Sequence, residues 1–241
     1  IFEAIRKVLA DSSIDKKQIQ FAMLGTTQST NAIVQRKKLL KVGIIRIGKP
    51  AGMAIEPMVD WPKDLIEVVS ENVVFIEGGH QFDGREILPL NENEIRTACK
   101  ALKGKVQAIA IISIFSPVSA DHEVRARAIV KEELKGLPIT LSHEIASIGF
   151  LERENATVLN ASLHDVAKTT AHGFRDALVK EGVVQADIFL CQNDGTLMSI
   201  DYAIEYPILT IACGPTNSIR GACYLSGLKN AIVLDIGGTT S

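Results

Sequence analysis

The chain has 241 residues, and its 26 Lys and Arg nearly balance 28 Asp and Glu, for a net charge of −2. That length suits one large domain or two modest ones. An apolar fraction of 46% excludes intrinsic disorder, because such a chain can bury enough surface to offset its ordering entropy. Near-neutral charge without a strongly basic stretch also excludes a dedicated nucleic-acid binder.

The first residue is Ile, and Ile1, Phe2, Ile5, Val8 and Leu9 recur at helical spacing, so the chain opens inside an amphipathic helix. No basic-then-apolar segment of the secretory type is present at that point. Residues 18–24 read as a strand, 29–37 as a helix and 41–47 as a second strand. The densest basic run, Arg36-Lys37-Lys38 with Lys41, fits the solvated C-terminal end of that helix, where the dipole favours cations. A Pro- and Gly-rich surface loop follows over 48–62, with Trp61, the single Trp, as an anchor packed on the core. Residues 73–77, Gly78-Gly79 and 80–88 with an Asp83-Gly84 turn read as a β-hairpin region. Helix 92–102, strand 106–115, helix 120–134 and strand 139–141 complete a first α/β unit, with Pro117, Ser119 and Asp121 separating strand from helix.

The texture changes after Ser142. Residues 152–180 carry apolar side chains at helical spacing with no Pro, which one long helix or two stacked ones would satisfy. Strand 187–191, a turn, strand 208–212, helix 216–225 and a final strand over 231–235 follow. Alternating strands and helices predict an α/β fold with a largely parallel sheet, divided near 142–150 into regions 1–145 and 146–241. The near-continuous apolar runs at 106–115 and 231–235 predict central strands covered on both faces. The longest apolar run, 108–115, is far below the ~20 residues of a membrane-spanning helix. Cys99, Cys191, Cys213 and Cys223 form no CxxC pair and no Cys/His metal spacing, which suits reduced thiols in a cytoplasmic protein. His80, His122, His143, His164 and His172 are scattered without ligand spacing, so no His metal site is expected. An Ile at one end and a glycine turn with nothing after it at the other read as a fragment of a longer protein.

Four constellations stand at strand ends. In Asp235-Ile236-Gly237-Gly238-Thr239-Thr240-Ser241, glycines would let backbone N–H groups approach phosphate oxygens, hydroxyls would add donors, and the carboxylate would hold hydrated Mg²⁺. An ordinary strand turn with a capping Asp is the alternative. Gly25-Thr26-Thr27-Gln28-Ser29-Thr30-Asn31 runs from strand into helix, where free N–H groups and the dipole either hold an anion or are capped by Thr27 or Ser29. Cys213-Gly214-Pro215-Thr216-Asn217-Ser218 is a second helix entry, with Cys213 either a structural thiol or a nucleophile activated by the helix start. Gln192-Asn193-Asp194-Gly195-Thr196 reads as a hairpin turn. The turns at 25–27, 193–195 and 214–218 are expected at carboxyl ends of strands, where clefts of open α/β sheets form.

The order of these pieces resembles the hydantoinase/oxoprolinase family, hydantoinase A type. The matching blocks are GTTQSTNAIVQRK (25–37), FSPVSADHE (115–123), SHEIASIGFLERENATVLNASL (142–163), QNDGTLMS (192–199), CGPTNSIRGACYLSGL (213–228) and AIVLDIGGTTS (231–241). The resemblance implies an actin-like ATPase fold: ribonuclease-H-like lobes with mainly parallel sheets, here an incomplete fragment. It implies an ATP-dependent hydrolase that opens a hydantoin or 5-oxoproline type of cyclic amide through a phosphorylated amide. ATP and Mg²⁺ would be the cofactors, with Asp235 on the metal and Gly237, Gly238, Thr239 and Thr240 on phosphate. Gly25, Thr26, Thr27, Asn31, Asn193, Asp194, Gly214 and Asn217 would line the substrate side, and no catalytic residue is assigned. The first phosphate loop and the end of the second lobe would lie outside the chain, leaving it inactive by itself. Cys213 and Thr216-Asn217-Ser218 depart from the family's Ser-Gly-Pro followed by Ala and Gly. The expected partners are a small cyclic amide and either a second copy or a partner subunit, with no nucleic acid and no membrane. Alternatives are an acetone-carboxylase-like nucleotide-binding subunit and a non-catalytic actin-like nucleotide-binding protein.

Overall fold

A computed structural model describes residues 2–12, 14–147, 149–228 and 230–236. In chain order these form α1 (Phe2–Ser12), β1 (Phe21–Leu24), α2 (Gln28–Gln35), β2 (Val42–Lys49), α3 (Lys63–Val69), β3 (Asn72–Glu77), α4 (Glu92–Leu102), β4 (Ala108–Ser113) and α5 (Asp121–Glu133). They continue with β5 (Ile139–Leu141), the single turn α6 (Ser142–Ile145), α7 (Phe150–Lys180), β6 (Asp187–Cys191), β7 (Leu197–Ser199), α8 (Ile200–Glu205) and α9 (Cys213–Ser226). The chain divides into two compact units, one of Ile1–Val34 with Val166–Ser241 and one of Gln35–Asp165. No helix among the described residues is long and apolar enough to cross a membrane.

The continuous unit, 35–165, is a four-stranded parallel sheet in the order β3-β2-β4-β5. All six residues of β4 are buried, and alternate positions serve opposite faces. Ile109 and Ile111 pack with Ile95, Ala98, Cys99 and Leu102 of α4 and Ala126, Ile129 and Val130 of α5. Ala108, Ala110 and Ile112 pack with Leu65 and Val69 of α3 and Val158 and Ala161 of α7. A strand covered on both faces has no position for a solvated side chain, which is why this run is apolar from Ala108 to Ile112. Trp61 anchors its loop against the α3 and α7 face. Helix α4 starts where Asn91 accepts from the Glu94 N–H, a side-chain cap that satisfies one orphan donor of the first turn.

The discontinuous unit has a three-stranded sheet, β1-β6-β7, with β1 parallel to β6 and β7 antiparallel to it. One face packs Leu190 and Met198 with Ala171 of α7 and Ile200 and Ala203 of α8. A neighbouring cluster of Phe174, Leu178 and Val183 holds Ile5 and Leu9 of α1, the amphipathic face read from the sequence. Residues 150–180 form one helix rather than two.

Several expectations need correction. Residues 231–236 are not a buried strand: Ile232 and Leu234 are 93% and 82% exposed, and no strand among the described residues pairs with them. A strand requires ladder partners for its N–H and C=O groups, and an apolar run without them has nothing to hold it in a sheet. Residues 208–212 contain the 3-10 turn Pro207–Thr210 instead of a strand. Pro207 opens that turn, Thr210 Oγ1 donates to the Pro207 carbonyl, and the Leu209 carbonyl accepts from the Asn193 N–H, so no ladder forms. The hairpin at 73–88 reduces to one antiparallel bridge, His80 with Glu86, because β3 pairs in parallel with β2. β7 and α8, unread in the sequence, fill 197–205.

Candidate active site

Three of the four hydroxyl- and glycine-rich segments meet in the discontinuous unit, around the first turns of α9. The 25–27 turn leaves β1, and Gly25 approaches so closely that a Cβ there would lie 2.8 Å from Asn217 Nδ2. The Thr26 carbonyl accepts from Cys213 Sγ at 3.3 Å, and a Cβ on Gly214 would touch the Thr27 methyl at 3.8 Å. The turn between β6 and β7 is joined to the same helix: Thr216 Oγ1 donates to the Asn193 carbonyl at 2.7 Å, and Arg220 donates to the Gly195 carbonyl. Ser218 Oγ donates to Asp235 Oδ2 at 2.6 Å, which brings the fourth segment's carboxylate to the same helix.

Local chemistry shapes each piece. Asp194 Oδ1 accepts from the Thr196 N–H at 2.8 Å and its hydroxyl at 2.7 Å, which holds the carboxyl below its ordinary range. Asn31 Nδ2 donates to Thr27 Oγ1 at 3.3 Å, while its N–H donates to the Thr27 carbonyl, so Thr27 closes the first turn of α2. Burial pushes the Cys191 thiol up, opposed by a hydrogen bond from Asn217. Cys213 is 1% exposed with its thiol on a carbonyl, the position of a structural rather than a nucleophilic sulfur. Thr27, Asn31, Asn193, Asp194 and Asp235 are exposed, and Thr26, Gly214 and Asn217 partly so.

The expected position at strand ends holds for 25–27 after β1 and for 193–195 after β6. It does not hold for 214–218, which follows the 3-10 turn at 207–210 and enters the helix through Ala212 in the left-handed region at φ 61°. Gly237, Gly238, Thr239 and Thr240 lie outside the described residues. Asp235 offers one hard carboxylate oxygen beside the hydroxyl of Ser218, a donor set that suits Mg²⁺ rather than a softer metal.

Sequence spacing missed one cluster. Among the described residues, His80, Glu86 and His122 bring one ligand-type atom each within 4.8 Å of one another. His122 Nδ1 accepts from the Gly79 N–H at 2.9 Å, which leaves the proton on Nε2, 3.0 Å from Glu86 Oε1. Each ring nitrogen of His122 thereby has a hydrogen-bond partner. Residues 42 positions apart carry no motif, so only the fold reveals them.

Solved structures with this architecture fix its class. The crystal structure of ATP-dependent caprolactamase from Pseudomonas jessenii is similar with a TM-score of 0.77 at 25% identity, over 99% of this chain and 37% of that chain. A nucleotide-free acetone carboxylase structure gives 0.73 at 23% identity, over 91% of this chain and 34% of that one, a likeness of fold alone. The class is the α/β, mainly parallel fold of the actin-like ATPases.

The chain belongs to the hydantoinase/oxoprolinase family: the model of the hydantoinase/oxoprolinase N-terminal region matches residues 1–134, and that of hydantoinase/oxoprolinase matches 153–241. Relatives include an uncharacterized protein of Methanocaldococcus jannaschii, 31% identical over 66% of this chain. The acetophenone carboxylase gamma subunit of Aromatoleum aromaticum is 28% identical over 81%, and the caprolactamase subunit alpha of Pseudomonas jessenii 28% over 90%. The chain spans 24%, 27% and 33% of their respective lengths.

Proposed function

We propose that the chain serves an ATP-dependent hydrolase that opens a cyclic amide through a phosphorylated amide oxygen. The observation that carries this reading is the meeting of 25–27, 193–195 and Asp235 around one helix start, with the phosphate-type sequence Gly237-Gly238-Thr239-Thr240 following Asp235 in the chain after Ile236. The likeness to the caprolactamase subunit alpha of Pseudomonas jessenii supports the substrate class.

A lactam carbonyl is a poor electrophile. Transfer of the γ-phosphoryl group from ATP to the amide oxygen releases ADP and gives an imidate phosphate. Water then adds to the ring carbon, the C–N bond breaks with the amine as leaving group, and a second water releases phosphate from the acyl phosphate. Phosphoryl transfer needs positioning and charge neutralisation more than covalent chemistry, which suits this set of backbone and hydroxyl donors. Asp235 would hold Mg²⁺, which when bound neutralises charge on the phosphates. Ser218 orients that carboxylate through its 2.6 Å bond. Gly237, Gly238, Thr239 and Thr240 would take the phosphates. Gly25, Thr26, Thr27, Asn31, Asn193, Asp194, Gly214 and Asn217 would line the amide side. The two sequence regions, 1–145 and 146–241, would both contribute, and a partner subunit or second copy would complete the assembly.

The acetophenone carboxylase relative favours a second reading, in which the same phosphoryl transfer activates a substrate for carboxylation. The test is the ATPase rate of the natural gene product across hydantoins, 5-oxoproline and simple lactams, and across ketones with bicarbonate. Stimulation by a cyclic amide with release of the opened amino acid supports hydrolysis. Stimulation only by a ketone with bicarbonate transfers the assignment to the carboxylase reading, and ATP turnover indifferent to both sinks each.

A further inference from the structure

The continuous unit holds a cavity that the proposed site does not use. Its strand order, β3-β2-β4-β5, places the first strand in sequence between the second and the third. The chain therefore leaves β2 toward one edge of the sheet and returns past it to β4. The helices follow: α3 and α7 cover one face, α4 and α5 the other. In doubly wound sheets of this order, ligands bind outside the carboxyl ends of the strands where the winding reverses. Here that point lies between β2 and β4.

A cavity of about 490 Å³ occupies it, within the 300–1,000 Å³ range of small-molecule sites. One wall is Ala51, Gly52 and Ile55 after β2, and another is Ile114, Phe115, Pro117 and Val118 after β4. Ser147, Gly149, Phe150 and Arg153, between β5 and the start of α7, close it. Phe115 is held in the left-handed region at φ 52° while 44% exposed, an uncommon conformation for an aromatic residue.

Two buried arginines build the walls. Arg46, 1% exposed, donates to the Gly52 carbonyl at 3.0 Å and to the Ile55 carbonyl, which fixes the loop after β2. Arg153, 3% exposed, donates through Nε to Ser142 Oγ at 2.9 Å, through Nη1 to the Gly149 carbonyl at 3.2 Å and through Nη2 to the Ser113 carbonyl at 2.8 Å. The Phe150 ring lies between them, its centroid 4.6 Å from the Arg46 guanidinium carbon and 5.8 Å from that of Arg153. A guanidinium has five N–H donors, and these bonds use three of those on Arg153.

Charge decides the ligand class. Glu154 pairs with Arg46 at 2.8 Å. Glu123, 0% exposed, balances Arg153 through the shared Ser142, and also accepts from the Ser113 N–H and from His143. No buried cation is left over for an anion, yet hydrogen-bond donors remain beside an otherwise apolar lining. We infer that this cavity is a second small-molecule site, one that takes a compact neutral ring compound with a carbonyl oxygen. Its apolar body lies against Ile55, Ile114, Val118 and Phe150, and its carbonyl accepts from Arg153. The assignment stands on the cavity's own chemistry and does not depend on the ATP-driven reaction.

The test is a methyl-detected NMR titration of the 241-residue chain with cyclohexanone, 2-piperidone and cyclohexanecarboxylate, each to millimolar concentration. The two neutral rings should shift the methyl signals of Ile55, Ile114 and Val118, and the carboxylate should bind at least tenfold more weakly. Val118→Trp and Ile55→Trp fill the cavity from opposite walls at positions that are 53% and 44% exposed, so neither disturbs the core. Each should weaken the neutral probes tenfold or more with an unchanged thermal midpoint. Absence of binding, shifts confined to residues away from the lining, or unchanged affinity in both variants overturns the site. Equal binding of the carboxylate overturns the neutral-ligand class.

Discussion

Arg46 on β2 and Glu154 on α7 form an ion pair at 2.8 Å with both side chains shut off from solvent. Burial pushes the Glu154 carboxyl up against the opposing pull of Arg46. Desolvation of this kind means that the intact pair adds little net stability, whereas an orphaned member is costly. Glu154→Leu should therefore destabilise the chain by about 3–5 kcal/mol, and the double replacement Arg46→Met with Glu154→Leu by clearly less. Urea unfolding of the three proteins checks the order. A double variant worse than the single would show that the pair contributes far more than burial allows.

His80 carries a pH dependence. Burial holds its pKa below the ordinary value, helped by His122 and opposed by Glu86 and Asp121. The unfolded chain takes up the proton near pH ~6.5 while the folded chain does not. Stability should thus be full above that pH, fall as pH drops through it, and stop falling once the folded-state pKa is passed. Thermal midpoints between neutral and mildly acidic pH, compared with His80→Leu, test this. A variant with the same slope as the parent would assign the effect elsewhere.

Alkylation should sort the four free cysteines. Cys99 is 1% exposed, and burial pushes its thiol up to about 11, so thiolate is scarce at mildly alkaline pH. Iodoacetamide should modify partly exposed Cys223 first and leave Cys99 unmodified until urea is added. Mass spectrometry of timed samples reads the order directly, and early labelling of Cys99 would contradict the packing of α4.

Gly25→Ala tests the candidate active site. The added methyl would meet Asn217 Nδ2 at 2.8 Å, and because the atom struck is the end of a side chain rather than backbone, the side chain can yield. Stability should change by less than about 0.5 kcal/mol, the range of substitutions away from a core. Under the proposed reading, KM for the amide should rise about tenfold, equivalent to ~1.4 kcal/mol of lost binding, with KM for ATP little changed. Equal effects on both would place Asn217 on the nucleotide side.

The legible parts of the fold were those in which one physical demand acts alone. Burial on two faces writes a near-continuous apolar run, which is why β4 could be read, and Pro117, Ser119 and Asp121 marked the passage from it into α5. The turns at 25–27 and 192–196 were visible because a strand exit needs glycines and hydroxyls. The segment 208–212 misled because Leu209 packs against a core cluster while the backbone serves Asn193 and a Pro-started turn. Arg46 and Arg153 were silent for a different reason. A charge inside an apolar segment does not name a partner, and the Arg46 partner stands 108 positions away. The three-residue group of His80, Glu86 and His122 was equally invisible.

The pairing of Phe21 with Asp187 has a consequence for how the protein is made. All of 35–165 is synthesised between those two residues, so the continuous unit is complete on the ribosome before β1 meets β6, its strand partner among the described residues. Domains fold as units during synthesis, and an unpaired strand edge in the meantime is an aggregation hazard. β1 is only four residues long, which shortens that hazard without removing it. In a nascent chain ending before Asp187, the segment 35–165 should resist protease and the segment 1–34 should not.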